Sequence, residues 1–303
     1  MDLPLTLDNA TALSKDFLFQ KICVSEPYFA MNELIYSDHK IVQASFIIEN
    51  IGFPESFSLS SGEAGRHLAI LGSCALALIN PDPEKHYYLA VEAVGGNSNV
   101  AKAVHRCLDR KNKKFIVQSK AISLDLRKKS GQAEAKIFNA HGLEVSSLII
   151  TYKVFRNDLF KRLFKRFYIE NAMNMAANPY TDNYPLKDVV YSNNVLTGKT
   201  GIIRPEQCAG HFDEYPALPV AMLCSLLFEM AGRHYMHKVN RNDVKYCVDR
   251  ILLTANRLAS AGEFLLLQSE EFVNNIENKR YIVSARDFEG NVVGKVDIVL
   301  YVE

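Results

Sequence analysis

The residues best placed to do chemistry fall in one stretch, Ala209 to Gly232, which reads AGHFDEYPALPVAMLCSLLFEMAG. His211 sits in a Gly-His-Phe turn, Pro216 and Pro219 follow, and an apolar run at helical spacing begins at Val220. Imidazole exchanges protons near neutrality, so this turn marks either the mouth of an active site or a loop entering a buried helix. A second cluster, Glu63, Arg66 and His67, opens another apolar helical run, GEAGRHLAILGSCALALIN. Glu63 and His67 are four apart and share a helix face, where the carboxylate could polarise the imidazole. The plainer alternative is a solvated first turn, because glutamate near a helix N-terminus is favoured by the dipole in any case.

The elements that must position these residues repeat. In the first half, ELIYSDHKIVQASFIIEN reads as a hairpin, followed by a loop and by a helix that Asn80, Pro81 and Pro83 stop. Three strand-like runs come next, the last a hairpin turning at Asn139-Ala140-His141-Gly142. The second half runs in the same order: the hairpin DVVYSNNVLTGKTGII, the His211 loop, the helix from Val220, and strands that turn at Glu289-Gly290-Asn291. An apolar helix followed by a long antiparallel sheet makes sense if the sheet wraps the helix. Two such halves pairing side by side would cover each other's exposed edge.

Composition narrows the class. The chain has 303 residues and a net charge of +1, with 35 basic and 34 acidic residues, so no nucleic-acid partner is implied. No window reaches the length of a membrane span and no signal-like N-terminus is present, which places the chain in the cytoplasm by sequence reading. The six cysteines form no CxxC pair and have no histidine at metal-ligand spacing, so no metal site is expected.

The loop and helix from Gly210 resemble the signature of the beta-hydroxyacyl-ACP dehydratases, Gly-His-Phe-Pro-Gly-x-Pro-x-Met-Pro-Gly followed by the central helix of the hotdog fold. His211, Phe212, Pro216 and Pro219 match it, and the resemblance covers residues 180 to 303. The first half is similar more weakly: Phe53 and Pro54 are retained, and Gly52 stands where the histidine should be. The resemblance implies an α+β double hotdog, with one unit over 24–155, a basic amphipathic linker helix over 156–177, and a second unit over 178–303. In such a family the histidine of one unit works with a carboxylate on the other unit's helix. The histidine removes the alpha proton of a 3-hydroxyacyl thioester and the acid handles the departing hydroxyl. A backbone N–H at the helix start, here Val220, holds the carbonyl, as a developing enolate requires.

Fourteen residues after His211 the family's acid position is Ser225, which cannot serve as an acid. On the first helix the position falls on His67 when counted from Gly62, or on Arg66 when counted without a gap from Gly52. The expected site is therefore His211, Glu63 and His67 as catalytic groups, with Val220, Phe212, Arg66 and Pro219 against the substrate. The implied substrate is an acyl group on acyl carrier protein or coenzyme A, with no resident cofactor. Two other readings stay open: a thioesterase in which Glu63 activates water, and a silent acyl-carrier-binding partner. The linker's Lys161, Arg162, Lys165 and Arg166, and the cluster from Arg110, could receive an acidic carrier or be plain surface. A homo-oligomer of the pseudo-dimeric chain is compatible with all of this.

Overall fold

The computed structural model describes residues 9–37, 39–49, 55, 59–98, 114–170, 172, 178–212, 214–272 and 279–302. The expected elements of the first half are β2 (Asn32–Tyr36), β3 (Ile41–Ile47), helix α2 (Ser61–Ile79), β4 (His86–Asn97), β5 (Lys114–Asp125), β6 (Ser130–Phe138) and β7 (Glu144–Arg156). Ahead of them lie the short β1 (Thr11–Ala12) and helix α1 (Lys15–Phe19). A short helix α3 (Asn157–Leu163) leads to β8 (Leu186–Ser192) and β9 (Val195–Thr200). The second half continues with β10 (Ala217–Leu218), α4 (Val220–Val239), β11 (Tyr246–Ala255), β12 (Ala259–Ser260), β13 (Leu266–Glu271), β14 (Lys279–Arg286) and β15 (Val292–Val302).

The repeat seen in the sequence becomes a repeat in space. One sheet runs β1-β2-β3-β5-β6-β7-β4-β11-β15-β14-β13-β9-β8. Outward from the central pair, β4 corresponds to β11, β7 to β15, β6 to β14, β5 to β13 and β3 to β9. The halves therefore meet edge to edge at β4 and β11, which pair antiparallel from Glu92 with Thr254 to Gly96 with Arg250. A Cβ at Gly95 or Gly96 would run into the carbonyl oxygens of Ser147 and Asp249, and both have positive φ, so this seam needs glycine.

Each half sheet curls around its helix, which explains why both helices are apolar on most faces. The strands alternate to suit: along β6, Gly131, Ala133, Ala135 and Ile137 point inward, and their small size lets α2 lie close. Ser60 caps α2 by accepting a hydrogen bond from the Glu63 N–H (3.2 Å). The two helices also pack on each other. They meet at Gly62, where a Cβ would collide with the side chain of Ser225. Ser225 thus stands in the helix interface, its hydroxyl returned to the Ala221 carbonyl (3.1 Å). Gly62→Val is expected to lower stability by about 1–3 kcal/mol through overpacking. Chemical denaturation measures this, and an unchanged midpoint would mean the helices are not held this close.

The linker differs from the expected long helix. α3 ends at Leu163, and a single 3-10 turn, Lys165–Phe167, follows it, while residue 171 and residues 173–177 lie outside the described ones. Its apolar face is used as expected at Phe160, which is fully buried, stacks on Tyr87 (3.5 Å) and meets Phe212 edge-on (5.6 Å). The linker is thereby packed against the residue that follows His211. Among the described residues no helix is long and apolar enough to cross a membrane.

Candidate active site

His211 is held by its backbone before its side chain does anything. Gly210 and Phe212 on either side both have positive φ. At Gly210 a Cβ would strike the Ser25 carbonyl, so only glycine fits this close approach. The segment just ahead of β2 grips the loop, Ser25 donating its N–H to the Gly210 carbonyl (2.9 Å) and the Cys23 carbonyl accepting from the Phe212 N–H (3.3 Å), and Tyr180, ahead of β8, donates its hydroxyl to the Ala209 carbonyl (2.7 Å). The imidazole stacks on Phe212 (3.8 Å between centroids) and meets Tyr28 edge-on (5.0 Å).

The tautomer follows from one contact. His211 Nδ1 lies 2.8 Å from the Ala217 carbonyl oxygen. A carbonyl can only accept, so Nδ1 carries the proton and Nε2 keeps its lone pair. Burial pushes the pKa of this histidine down to about 4, with the Ala217 bond opposing the shift. The ring is therefore a neutral base throughout the physiological range. A reaction that relies on it should keep its rate through pH 6.5, the ordinary histidine value, and lose it only as pH falls through about 4. A rate profile against pH checks this, and an acid limb near 6.5 would contradict it.

Val220 supplies the complementary polarity. It opens α4 after Pro219, and the N–H groups of Met222 and Leu223 already return to the Pro219 carbonyl. Among the described residues no side chain caps this helix start, and its first turn holds no acid, so the Val220 and Ala221 N–H groups face outward along the axis. His211, Phe212 and Val220 line one cavity together with Tyr28, Ser73 and Tyr152, and Ala69 and Ile70 of α2 close its far side. The site thus pairs the second unit's loop with the first unit's helix. An adjoining cavity shares Ala69, Ala90 and Val220 with it and runs between the two helices past Gly65, Cys224 and Phe228, almost entirely apolar. On the other side, a third cavity shares Leu258 and Val220 and reaches Lys153, Phe164 and Arg257 near the surface.

The first helix is placed differently from expectation. Glu63, Arg66 and His67 are not in a solvated turn: all three are buried, because the sheet wraps the start of α2 as well as its middle. None of them lines the His211 cavity. Glu63 accepts the Glu49 N–H (2.7 Å) and lies 3.8 Å from His67 Nε2. His67 stacks on Phe46 (3.8 Å), and among the described residues neither of its ring nitrogens has a hydrogen bond. Burial and the Arg66 charge hold it neutral, well below the ordinary histidine pKa.

The two registers considered for the acid position can now be compared. α4 begins nine residues after His211 and α2 begins nine residues after Gly52, a spacing that agrees with the ungapped count to Arg66 rather than the count to His67. Its guanidinium donates to the carbonyls of Tyr28 (2.8 Å) and Pro27 (2.7 Å) and to the Glu49 carboxylate (2.6 Å). It also lies over the rings of Tyr28 and Tyr180. This buried cation anchors the segment that carries Tyr28 into the cavity. Sequence reading missed Tyr28 and Ser73, since neither lies in the matched loop and only the tertiary fold brings residue 28 to residue 211. Gly52, Phe53 and Pro54, and the cluster from Arg110 to Lys113, lie outside the described residues.

No family model matches the chain, and no curated protein matches it by sequence. Solved structures do match over most of its length. An acyl-CoA thioesterase II, TesB2, from Mycobacterium marinum is 12% identical, with a TM-score of 0.55 over 89% of this chain and 95% of that one. An acyl-ACP thioesterase from Bacteroides thetaiotaomicron is 13% identical, with a TM-score of 0.50 over 86% of this chain and 98% of its own. The dehydratase domain from the CurK module of curacin polyketide synthase is 12% identical, with a TM-score of 0.50 over 90% and 97%. The chain has the hotdog fold. At these identities the likeness speaks for the fold, and the hotdog helix is the element that α2 and α4 each supply to the cavity between them.

Proposed function

We propose that this chain is a fused pair of hotdog units, divided at 24–155, 156–177 and 178–303, that hydrolyses an acyl thioester carried on coenzyme A or an acyl carrier protein. The observation that carries the reading is the neutral His211 with its free Nε2 in the same cavity as the uncapped start of α4. In the reaction Nε2 takes a proton from water as the water oxygen attacks the thioester carbonyl. The oxyanion forms at the Val220 N–H and the helix N-terminus. Collapse breaks the carbon–sulfur bond and releases the sulfur as thiolate, and the proton held on His211 then passes to solvent, which restores the neutral base.

Leaving-group chemistry favours hydrolysis over loss of water. A thiol has a pKa of about 8.5 and departs as thiolate without an acid. Hydroxide, the anion of water with pKa about 15.7, needs a proton donor, and no carboxylate lines the His211 cavity among the described residues. The apolar cavity between the helices suits the acyl chain, and the one reaching Lys153 and Arg257 suits the pantetheine arm with its phosphates. A second reading, dehydration of a 3-hydroxyacyl thioester, is favoured by the His211, Phe212, Pro216 and Pro219 match. It would make His211 both base and acid. Thiol release from acyl-coenzyme A substrates of increasing chain length tests the proposal. Release above the uncatalysed rate supports it; none from folded protein with any chain length removes it.

A further inference from the structure

The cavity contains a polar group that the hydrolysis reading has not used. Tyr28 is almost fully buried, and it lines the His211 cavity. Among the described residues its hydroxyl makes no hydrogen bond, whereas the other two tyrosines there are spoken for. Tyr152 donates to the Ala69 carbonyl (2.8 Å), and Tyr88 accepts from the Asn80 amide (3.0 Å). A phenol that is open on a cavity wall is a donor available to a ligand that can accept from it. The Tyr28 ring meets the His211 imidazole edge-on (5.0 Å between centroids), in the cavity that Val220 also lines. Tyr28 therefore shares the His211 cavity with the start of α4, and that cavity adjoins the apolar one suited to the acyl chain.

A thioester carbonyl held at the Val220 N–H would lie in the cavity that Tyr28 lines. We infer that the Tyr28 hydroxyl donates a hydrogen bond to the carbonyl oxygen of the bound thioester, as the second donor beside the Val220 N–H. This rests on the thioester reading and names the substrate atom that Tyr28 touches. Several features suit it to the part. Burial raises the Tyr28 pKa, so the phenol stays protonated and can donate at every pH at which the protein is folded. Arg66 fixes the backbone on both sides of the ring by holding the carbonyls of Pro27 and Tyr28. Because the donor is neutral and fixed in advance, its bond strengthens as negative charge develops on the oxygen.

The test separates this contact from the activity. A non-cleavable ketone analogue, 2-oxononyl-coenzyme A labelled with 13C at the ketone, is bound to wild type, Tyr28→Phe and His211→Ala, and the carbonyl resonance is read. Hydrogen bonding moves it downfield. The inference expects a downfield shift in wild type, kept in His211→Ala and reduced in Tyr28→Phe although the analogue still binds. With a cleavable substrate, Tyr28→Phe should lower kcat by about 100-fold and leave KM nearly unchanged. A carbonyl resonance that is the same in wild type and in folded, analogue-bound Tyr28→Phe would overturn it, as would no downfield shift in wild type. A Tyr28-dependent shift without thiol release from true substrates would keep the contact and remove hydrolysis.

Discussion

His211→Ala is expected to lower kcat for thioester hydrolysis by about 10²–10⁴-fold, the usual contribution of a positioned general base. KM should change little, because the acyl chain and the pantetheine arm are bound by surfaces the substitution does not touch. The effect should be chemical rather than a loss of fold. The loop backbone is held by Ser25, Cys23 and Tyr180, none of which uses the imidazole. What is lost structurally is one hydrogen bond to the Ala217 carbonyl and the stacking on Phe212, which lowers stability without removing the structure. The space left behind gives a further readout: imidazole added to the variant should restore part of the rate. Undiminished hydrolysis by folded His211→Ala would show that the base is elsewhere.

Arg66→Ala carries the largest expected effect on stability, about 3–5 kcal/mol, the range for removing one partner of a buried ion pair. Only 2% of the Arg66 surface is exposed, and its guanidinium serves two backbone carbonyls and the Glu49 carboxylate together. Truncation leaves all three acceptors without their donor. Arg66→Lys should recover only part of the loss, because a single ammonium cannot reproduce a planar fork with several donors. Denaturant titration measures both variants. A stability within experimental error of wild type for Arg66→Ala would mean that the cluster is not formed. Where the variant folds, activity should fall as well, since the segment bearing Tyr28 is no longer anchored beside His211.

Much of this was legible in the chain before any coordinates. Alternation and turn residues mark the hairpins, and the Gly-His-Phe loop with its two prolines points to His211, Phe212 and Val220, which line one cavity, whereas Pro219 precedes α4 without lining it. The first helix was harder for a physical reason. Spacing of four says that Glu63 and His67 share a face, but a helix wrapped by sheet has no solvent face to read, so spacing could not say what that face meets. Arg66 was named as a substrate contact, and its charge gave no hint that backbone carbonyls of residues 27 and 28 would take it up. Tyr28 carries no local signal, since its meaning depends on a loop more than 180 residues further on. The linker was read as one long amphipathic helix. Periodicity at Phe160 and Phe164 is satisfied equally by a short helix followed by a 3-10 turn, as found.

The central claim, hydrolysis by a lone histidine facing a helix N-terminus, is tested most directly by mass spectrometry of a 3-hydroxyacyl-coenzyme A incubated with wild type and with His211→Ala. The account predicts free coenzyme A and the intact 3-hydroxy acid from wild type and neither from the variant. An enoyl thioester, one water lighter with the coenzyme still attached, would contradict it and establish dehydration at the same histidine.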